Sequence, residues 1–370
     1  MKKEKIVLGM SGGVDSSVTA LLLKEKGYDV HAIFMKNWDD KHAICNSEDD
    51  FADASSVCKA LDIKLKKINY TKEYKNRVFN KFIQDHVEGF TPNPDVLCNR
   101  EIKFDVFRNY AKEIGADKIA SGHYARVVKQ NNSYFIKKAK DKNKDQSYFL
   151  YQLDGEIIKN LELPLGEINK DDVRKIAEEN LLATFEKKDS TGICFIGERK
   201  YNDFVGQFFK SKKGKIITVD GEDIGMHNGH MYFTVGQRKG LGIGAKNSAF
   251  DKPWYVFKKD IEKNIIYVAQ GSEHPALFSD ELIADNMFWN INSDKIFQLK
   301  CKAKVRYRDV DHSCKILSLN ENGCYVKFDN KIKAITCGQS IVLYDKNDVC
   351  IGGGIIRKRN VPFLGEEING

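Results

Sequence analysis

The first 120 or so residues switch repeatedly between a strand-like and a helix-like apolar period, and no other feature restricts the fold as much. Residues 6–10 form a short apolar run. Val18, Leu21, Leu22 and Glu25 follow at helical spacing, which stops at Gly27. A second strand is predicted over 30–35 and a third over 63–68, with a helix between them marked by Phe51, Ala54, Cys58 and Leu61. A long helix is expected over 72–87, then a break at Gly89-Phe90-Thr91-Pro92-Asn93-Pro94. A helix over 104–114 and a strand over 118–121 complete the unit. Parallel strands need crossover connections, so this succession predicts a parallel sheet with helices on both faces.

After Tyr124 the pattern changes. Runs at 125–128 and 133–136 flank Asn131-Asn132 as a hairpin, and helical pieces extend to about Leu182. From Gly214 onward, short strands and glycine turns dominate. A chain of 370 residues exceeds one ordinary core. We expect an α/β protein of three domains: a Rossmann-like catalytic domain over 1–207, a small β-rich domain over 208–281 and a basic β-barrel over 282–370. Cysteines 301, 314, 324, 337 and 350 recur at intervals near 13, which fits small apolar residues on successive barrel strands.

No stretch approaches the roughly 18 apolar residues of a membrane span. The apolar part of the N-terminus is too short for a signal peptide, so a cytoplasmic location is expected. Nine cysteines without a secretory signal argue for thiols rather than a disulfide framework, and none are spaced C-x-x-C. The net charge of +8 is unevenly placed, since residues 295–359 hold 14 Lys/Arg against 6 Asp/Glu. A solvated lysine-rich surface and a phosphate-facing module both fit that imbalance. Residues 300–308 favour the second. Lys300, Lys302, Lys304, Arg306 and Arg308 alternate strictly with apolar residues, and five like charges along one strand face make most sense opposite a polyanion.

Gly9-Met10-Ser11-Gly12-Gly13-Val14-Asp15-Ser16-Ser17 joins the first strand to the first helix. Glycines let backbone N–H groups approach phosphate, the helix start adds positive charge, and three serines offer hydroxyls. A Walker A lysine is absent, which disfavours γ-phosphoryl transfer. The motif resembles the PP-loop of the N-type ATP pyrophosphatases, which cleave ATP between the α- and β-phosphates. That resemblance implies that residues 9–16 cradle phosphates, that Met35 and Gly122 border adenine and ribose, and that Mg²⁺ accompanies ATP. No dedicated metal-ligand set is visible.

Two cysteines stand apart. Cys98 lies in a proline-braced loop, Thr91 to Arg100, just before a helix, and Cys194 lies between Gly192 and Gly197. Arg100 and Arg199 are close in sequence and would favour thiolate. The segments SGGVDSS, TPNPDVLCN followed by IKF, SGHYAR, KDQSYFL, STGICFIGER and YFTVGQRKGLGIG occur in order. Together they resemble the bacterial tRNA-specific 2-thiouridylases from residue 5 to about 357. The resemblance implies ATP-dependent 2-thiolation of a tRNA wobble uridine, with a persulfide on Cys194, Cys98 as second thiol and Asp95 as a candidate acid–base group. It places Asn93, Pro94 and Asp95 at the target base, and His123, Lys144, Asp145, Gln146, Arg306, Tyr307 and Gln339 on tRNA. A persulfide donor, either a sulfur-relay protein or a cysteine desulfurase, is implied as partner. Asp309 departs from the family pattern, where an uncharged polar residue is expected.

Three other readings compete. A small-molecule amidotransferase or ligase would often carry a glutaminase unit, and no cysteine nucleophile leads this chain. A lysidine synthetase would not need the Cys98/Cys194 pair, and a cluster-dependent thiolase would need C-x-x-C. A non-enzymatic RNA-binding protein would not need an intact loop with both thiols.

Overall fold

The computed structural model describes residues 3–38, 47–188, 201–210, 212–243, 252–292, 296–320 and 323–368. Two compact units emerge from the contacts. One comprises Met1–Asn80, Pro94–Glu198 and Asp345–Ile351, and the other Lys81–Asn93, Arg199–Tyr344 and Gly352–Gly370.

The N-terminal half runs β1 (Lys5–Gly9), α1 (Val14–Glu25), β2 (Asp29–Lys36), α2 (Ser47–Ala60) and β3 (Lys64–Asn69). The helical path that follows is α3 (Thr71–Tyr74), a π-helical turn (Lys75–Phe79) and α4 (Asn80–Val87). Next come α5 (Pro94–Cys98), a second π turn (Asn99–Lys103), α6 (Phe104–Ile114) and β4 (Lys118–Ala120). A hairpin of β5 (Ala125–Gln130) and β6 (Ser133–Lys138), then α7 (Gly155–Lys159), β7 (Leu161–Glu162) and α8 (Lys170–Glu179) complete the half.

The expected parallel sheet is present, in the order β3-β2-β1-β4-β7 with every pair parallel. Ile6, Leu8, Val18, Leu23, Ala32 and Phe34 share one core with Val173 and Ala177 of α8. The chain builds outward from β1 through β2 to β3, then returns to place β4 on the other side. Strand order therefore reverses between β1 and β4, and open α/β sheets bind ligands at the carboxyl ends of such a pair. The Asn131-Asn132 hairpin also forms. Both asparagines have positive φ, 47° and 65°, as a two-residue turn with the twist of the flanking strands requires.

The second unit also contains α9 (Tyr201–Val205). Strands β8 (Gly214–Thr218), β9 (Asp223–His227), β10 (Trp254–Asp260) and β11 (Ile265–Gln270) make a mixed sheet in the order β10-β11-β8-β9. Strands β12 (Phe278–Trp289), β13 (Lys300–Lys304), β14 (His312–Asn320), β15 (Gly323–Lys333), β16 (Ser340–Tyr344) and β17 (Cys350–Arg359) close into a barrel, β12-β15-β14-β13-β16-β17. Four of the five late cysteines are buried on these strands, and the Cys301 and Cys314 sulfurs lie 3.6 Å apart. Cys337 departs from expectation. It sits in the β15–β16 connection, half-buried.

The basic strand is shorter than its alternation predicts. β13 ends at Lys304, which pairs with Val342 and is only 8% exposed, and the chain turns at once. Alternation fixes which side of a strand a residue faces. It does not say what covers the outer face of a closed barrel, or where a strand without proline or glycine stops.

Within the second unit, His86 on α4 is buried among Phe82, Tyr201 and Phe209. Its Nδ1 donates to the Phe82 carbonyl at 2.8 Å, and the Tyr201 hydroxyl bonds its Nε2. Burial pushes its pKa down to about 4, against about 6.5 in an unfolded chain. The unfolded state therefore takes up a proton first as pH falls. Stability contributed by neutral His86 is complete above pH ~6.5 and is lost progressively toward pH ~4. Urea midpoints measured between pH 7 and 4.5 should fall in the wild type, and His86→Leu should flatten that slope by about one proton. An unchanged slope would mean that His86 titrates alike folded and unfolded.

Candidate active site

The phosphate loop sits at the reversal point of the sheet. Met10 N donates to Ile33 O at 2.8 Å, which fixes the loop entry beside β2. Gly122, just past β4, has no room for a side chain. A Cβ there would lie 3.0 Å from Asp15 C and Ser16 N. The 121–123 turn and the start of α1 are thus brought into direct contact. Met35, the last residue of the predicted strand, is the penultimate residue of β2.

The serines are used differently from expectation. Ser16 and Ser17 hydroxyls both donate to Gly13 O at 3.0 Å, so they shape the helix start rather than point at a ligand. Ser11 Oγ lies 3.1 Å from Ser16 Oγ and accepts from Gly13 N at 3.3 Å. Ser11 N donates to Ser16 Oγ at 3.2 Å, so main-chain and side-chain groups of the loop brace one another.

Asp15 is the loop's anchor. Its Oδ1 accepts from Tyr124 OH at 2.7 Å and from Lys170 Nζ at 2.6 Å. Lys170, at the start of α8, is only 7% exposed, and its main-chain N is held by Asp141 Oδ2 at 2.9 Å. Sequence reading missed this lysine because nothing local in Asn169-Lys170-Asp171-Asp172 points to the loop. Tyr124, by contrast, lay within the quoted SGHYAR segment. Three or more His, Cys, Asp or Glu side chains able to hold a metal do not cluster among the described residues.

A second group lies on α5, the π turn and α6. Cys98 is not in a loop before the helix. Pro94 takes the first helical position, which proline suits, so Cys98 closes α5 and is only 1% exposed. The helix register changes immediately after it, at Asn99–Lys103. Arg100, expected to favour thiolate, is exposed and its Nε donates to Glu101 Oε1 at 2.7 Å. Burial raises the Asp95 pKa, and the charge of Lys103 partly opposes that. Burial also pushes His123 down to about 3, helped by the same lysine, so its imidazole is neutral. Lys103 is thus within electrostatic reach of both Asp95 and His123. His123 Nδ1 lies 2.8 Å from Ser121 Oγ, and its ring packs 5.9 Å from Phe104. One turn on, Phe107 covers Gly9, where a Cβ would meet its Cζ at 2.2 Å. α6, which follows the cysteine-bearing helix, thus packs on the strand that feeds the phosphate loop.

Lys144-Asp145-Gln146 is partly structural. The Asp145 carboxylate accepts from Ala139 N, Ser147 N and Ser147 Oγ at 3.0–3.2 Å. Gln146 Oε1 accepts from Tyr124 N at 2.9 Å, which secures the turn carrying His123. Lys144 is half-buried beside them.

In the second unit, Gln339 Nε2 donates to Thr91 O at 2.7 Å, and Thr91 N donates to Cys337 O at 2.9 Å. Gln339 is therefore placed on the segment that leads to Asn93. Arg306 is exposed after β13, its Nη2 donating to Lys333 O at 3.2 Å, and Tyr307 is half-buried beside it. The unexpected Asp309 lies 3.9 Å from Arg306 Nε and 3.1 Å from His312 Nε2. Cys194, Gly192, Gly197 and Arg199 fall outside the described residues.

Three family models match in succession. They are a tRNA methyl transferase HUP domain over residues 4–198, a tRNA methyl transferase PRC-barrel domain over 202–270 and an aminomethyltransferase beta-barrel domain over 279–356. Relatives named tRNA-specific 2-thiouridylase MnmA match almost end to end. One from Francisella philomiragia is 50% identical over 359 residues, covering 96% of this chain and all of the relative. Another from Buchnera aphidicola is 50% identical over 367 residues, covering 98% and 99%. A third, from Salmonella typhimurium, is 51% identical over 359 residues, covering 96% and 97%. The chain belongs to the tRNA-specific 2-thiouridylase family.

Proposed function

We propose that this chain is a tRNA-uridine 2-sulfurtransferase that adenylates O2 of the wobble uridine and replaces that oxygen with sulfur. The observation that carries the reading is the position of the phosphate loop. It lies at the strand-order reversal of a parallel sheet, and α6, which follows the Pro94–Cys98 helix, packs against the same β1. Residues 9–16, Met35 and Gly122 hold ATP with its Mg²⁺, which arrives on the phosphates rather than in a protein cage. Lys170 supplies a cation beside the loop, where a Walker lysine is absent.

A uridine C2 oxygen leaves poorly until it carries AMP. The Cys194 persulfide attacks C2, AMP departs with the oxygen, and Cys98 attacks the Cys194 sulfur. The S–S bond breaks toward the base, and a Cys98–Cys194 disulfide is left. Asp95, whose burial favours the protonated form, is the acid–base group. Contact with tRNA is assigned to Asn93, Pro94, His123, Lys144, Gln146, Arg306, Tyr307 and Gln339, with buried Asp145 shaping the turn that carries Lys144 and Gln146. We assign catalysis to 1–207, a bridging β module to 208–281 and tRNA contact to 282–370. A persulfide-carrying sulfur-relay protein or desulfurase serves as donor, and the cytoplasm is the working compartment. No helix among the described residues is long and apolar enough to cross a membrane.

The direct test is ATP-dependent formation of 2-thiouridine in purified tRNA, read by nucleoside mass spectrometry. Absence of the thionucleoside with a persulfide donor present would overturn the reading. The barrel's part is tested by salt titration. Lys300→Gln with Lys302→Gln should weaken tRNA binding and flatten the log-salt slope by about 0.9 per lost phosphate contact. Lys304→Gln should leave the slope alone, because that side chain is buried. A slope unchanged in the double variant would return the basic strand to mere solubilisation.

A further inference from the structure

We propose that Lys187 is a positioning residue for the ATP step, one that seats the first turns of α2 on Gly12 and so fixes the mouth of the phosphate loop. The inference deepens the ATP reading above and rests on it.

Gly12 has φ +76°, and a Cβ there would lie 2.1 Å from Asp50 O and 2.8 Å from Asp50 C. The loop backbone is thus pressed directly against α2. That end of α2 carries Glu48, Asp49, Asp50 and Asp53. Acids suit a helix start, but several beside a polyphosphate site would repel the ligand unless neutralised. Lys187 neutralises two of them, with its Nζ 2.7 Å from Asp50 Oδ1 and also bonded to Asp53 Oδ2. Lys67 engages a third, Glu48, at 2.9 Å.

The lysine is itself held in place. Arg174 Nη1, from α8, donates to Phe185 O at 3.3 Å and to Lys187 O at 3.2 Å. The same α8 opens with Lys170 on Asp15. One stretch, 170–187, therefore grips the loop twice, at Asp15 through Lys170 and at Gly12 through Lys187 and Asp50. The triad is about a third exposed, so its effect on overall stability is small, and its weight lies in geometry.

The experiment is steady-state kinetics with ATP and tRNA varied separately, on the full chain. Lys187→Met should raise the KM for ATP about ten- to a hundredfold, the scale of a small displacement of a binding group. Its KM for tRNA should not change, and its melting temperature should fall by no more than about 3 °C. Lys187→Arg should restore the ATP value, because a guanidinium can serve two carboxylates. Asp50→Asn added to Lys187→Met should cost nothing further, as expected for two residues acting through one contact. An unchanged ATP KM, an equal rise for tRNA, failure of arginine to rescue, or additive effects would each overturn the proposal. Wild-type protein that forms no AMP from ATP would overturn the ATP reading itself, and this inference with it.

Discussion

Cys98→Ser protein is expected to bind tRNA and ATP nearly as the wild type does, and to form no detectable 2-thiouridine. The loss should be ~10³-fold or more, as when a covalent nucleophile is removed. Cys98 ends α5 with its side chain buried, so serine keeps the helix and replaces one small side chain by another. Docking should be spared, because Cys98 is not itself assigned to tRNA and serine keeps the helix that presents Pro94 and Asp95. Cys194→Ser should behave alike. The pair makes a sharper demand than either variant. If Cys98 attacks the Cys194 sulfur, the two Cα atoms must come within about 4.4–6.8 Å during turnover. One turnover without reductant should leave a Cys98–Cys194 disulfide, found by peptide mass mapping. Repeated turnover without reductant, and without that cross-link, would remove the two-thiol mechanism even if both residues proved essential.

Gly12→Val and Asp15→Ala should each eliminate AMP and pyrophosphate formation, for different reasons. The valine fails against protein before any ligand arrives. Gly12 has a positive φ that β-branched residues avoid, and its Cβ would overlap the Asp50 carbonyl. Asp15→Ala keeps the backbone but removes the acceptor shared by the buried Lys170 amine and the Tyr124 hydroxyl. Breaking that pair should cost about 2 kcal/mol of stability, less than a fully buried pair because Asp15 is a third exposed. Asp15→Asn separates the roles, since its amide oxygen can still accept from Tyr124 without the charge opposite Lys170. Adenylation retained by Asp15→Ala would remove the carboxylate from the ATP step. Wild-type release of ADP instead of AMP would refute the loop assignment altogether.

What the sequence determined was whatever rests on neighbours along the chain. Apolar period and glycine stops placed β1 to β4 and their helices in order, because a strand or helix shows its buried face within a few residues. The Asn131-Asn132 turn was legible for the same reason, as was the glycine–serine loop between a strand and a helix. The cysteines were read as barrel core from their spacing, and only Cys337 fell off a strand. The tertiary structure decided what long-range packing creates. Lys170 reaches Asp15 across 155 residues, and Gln339 reaches Thr91 across 248. It was packing that turned Gly12 toward α2 and buried Lys304 at the end of a strand that looked uniformly cationic. None of these has a local signature. A side chain's partner is set by which elements the fold brings together, and residue type and spacing tell only which way that side chain faces.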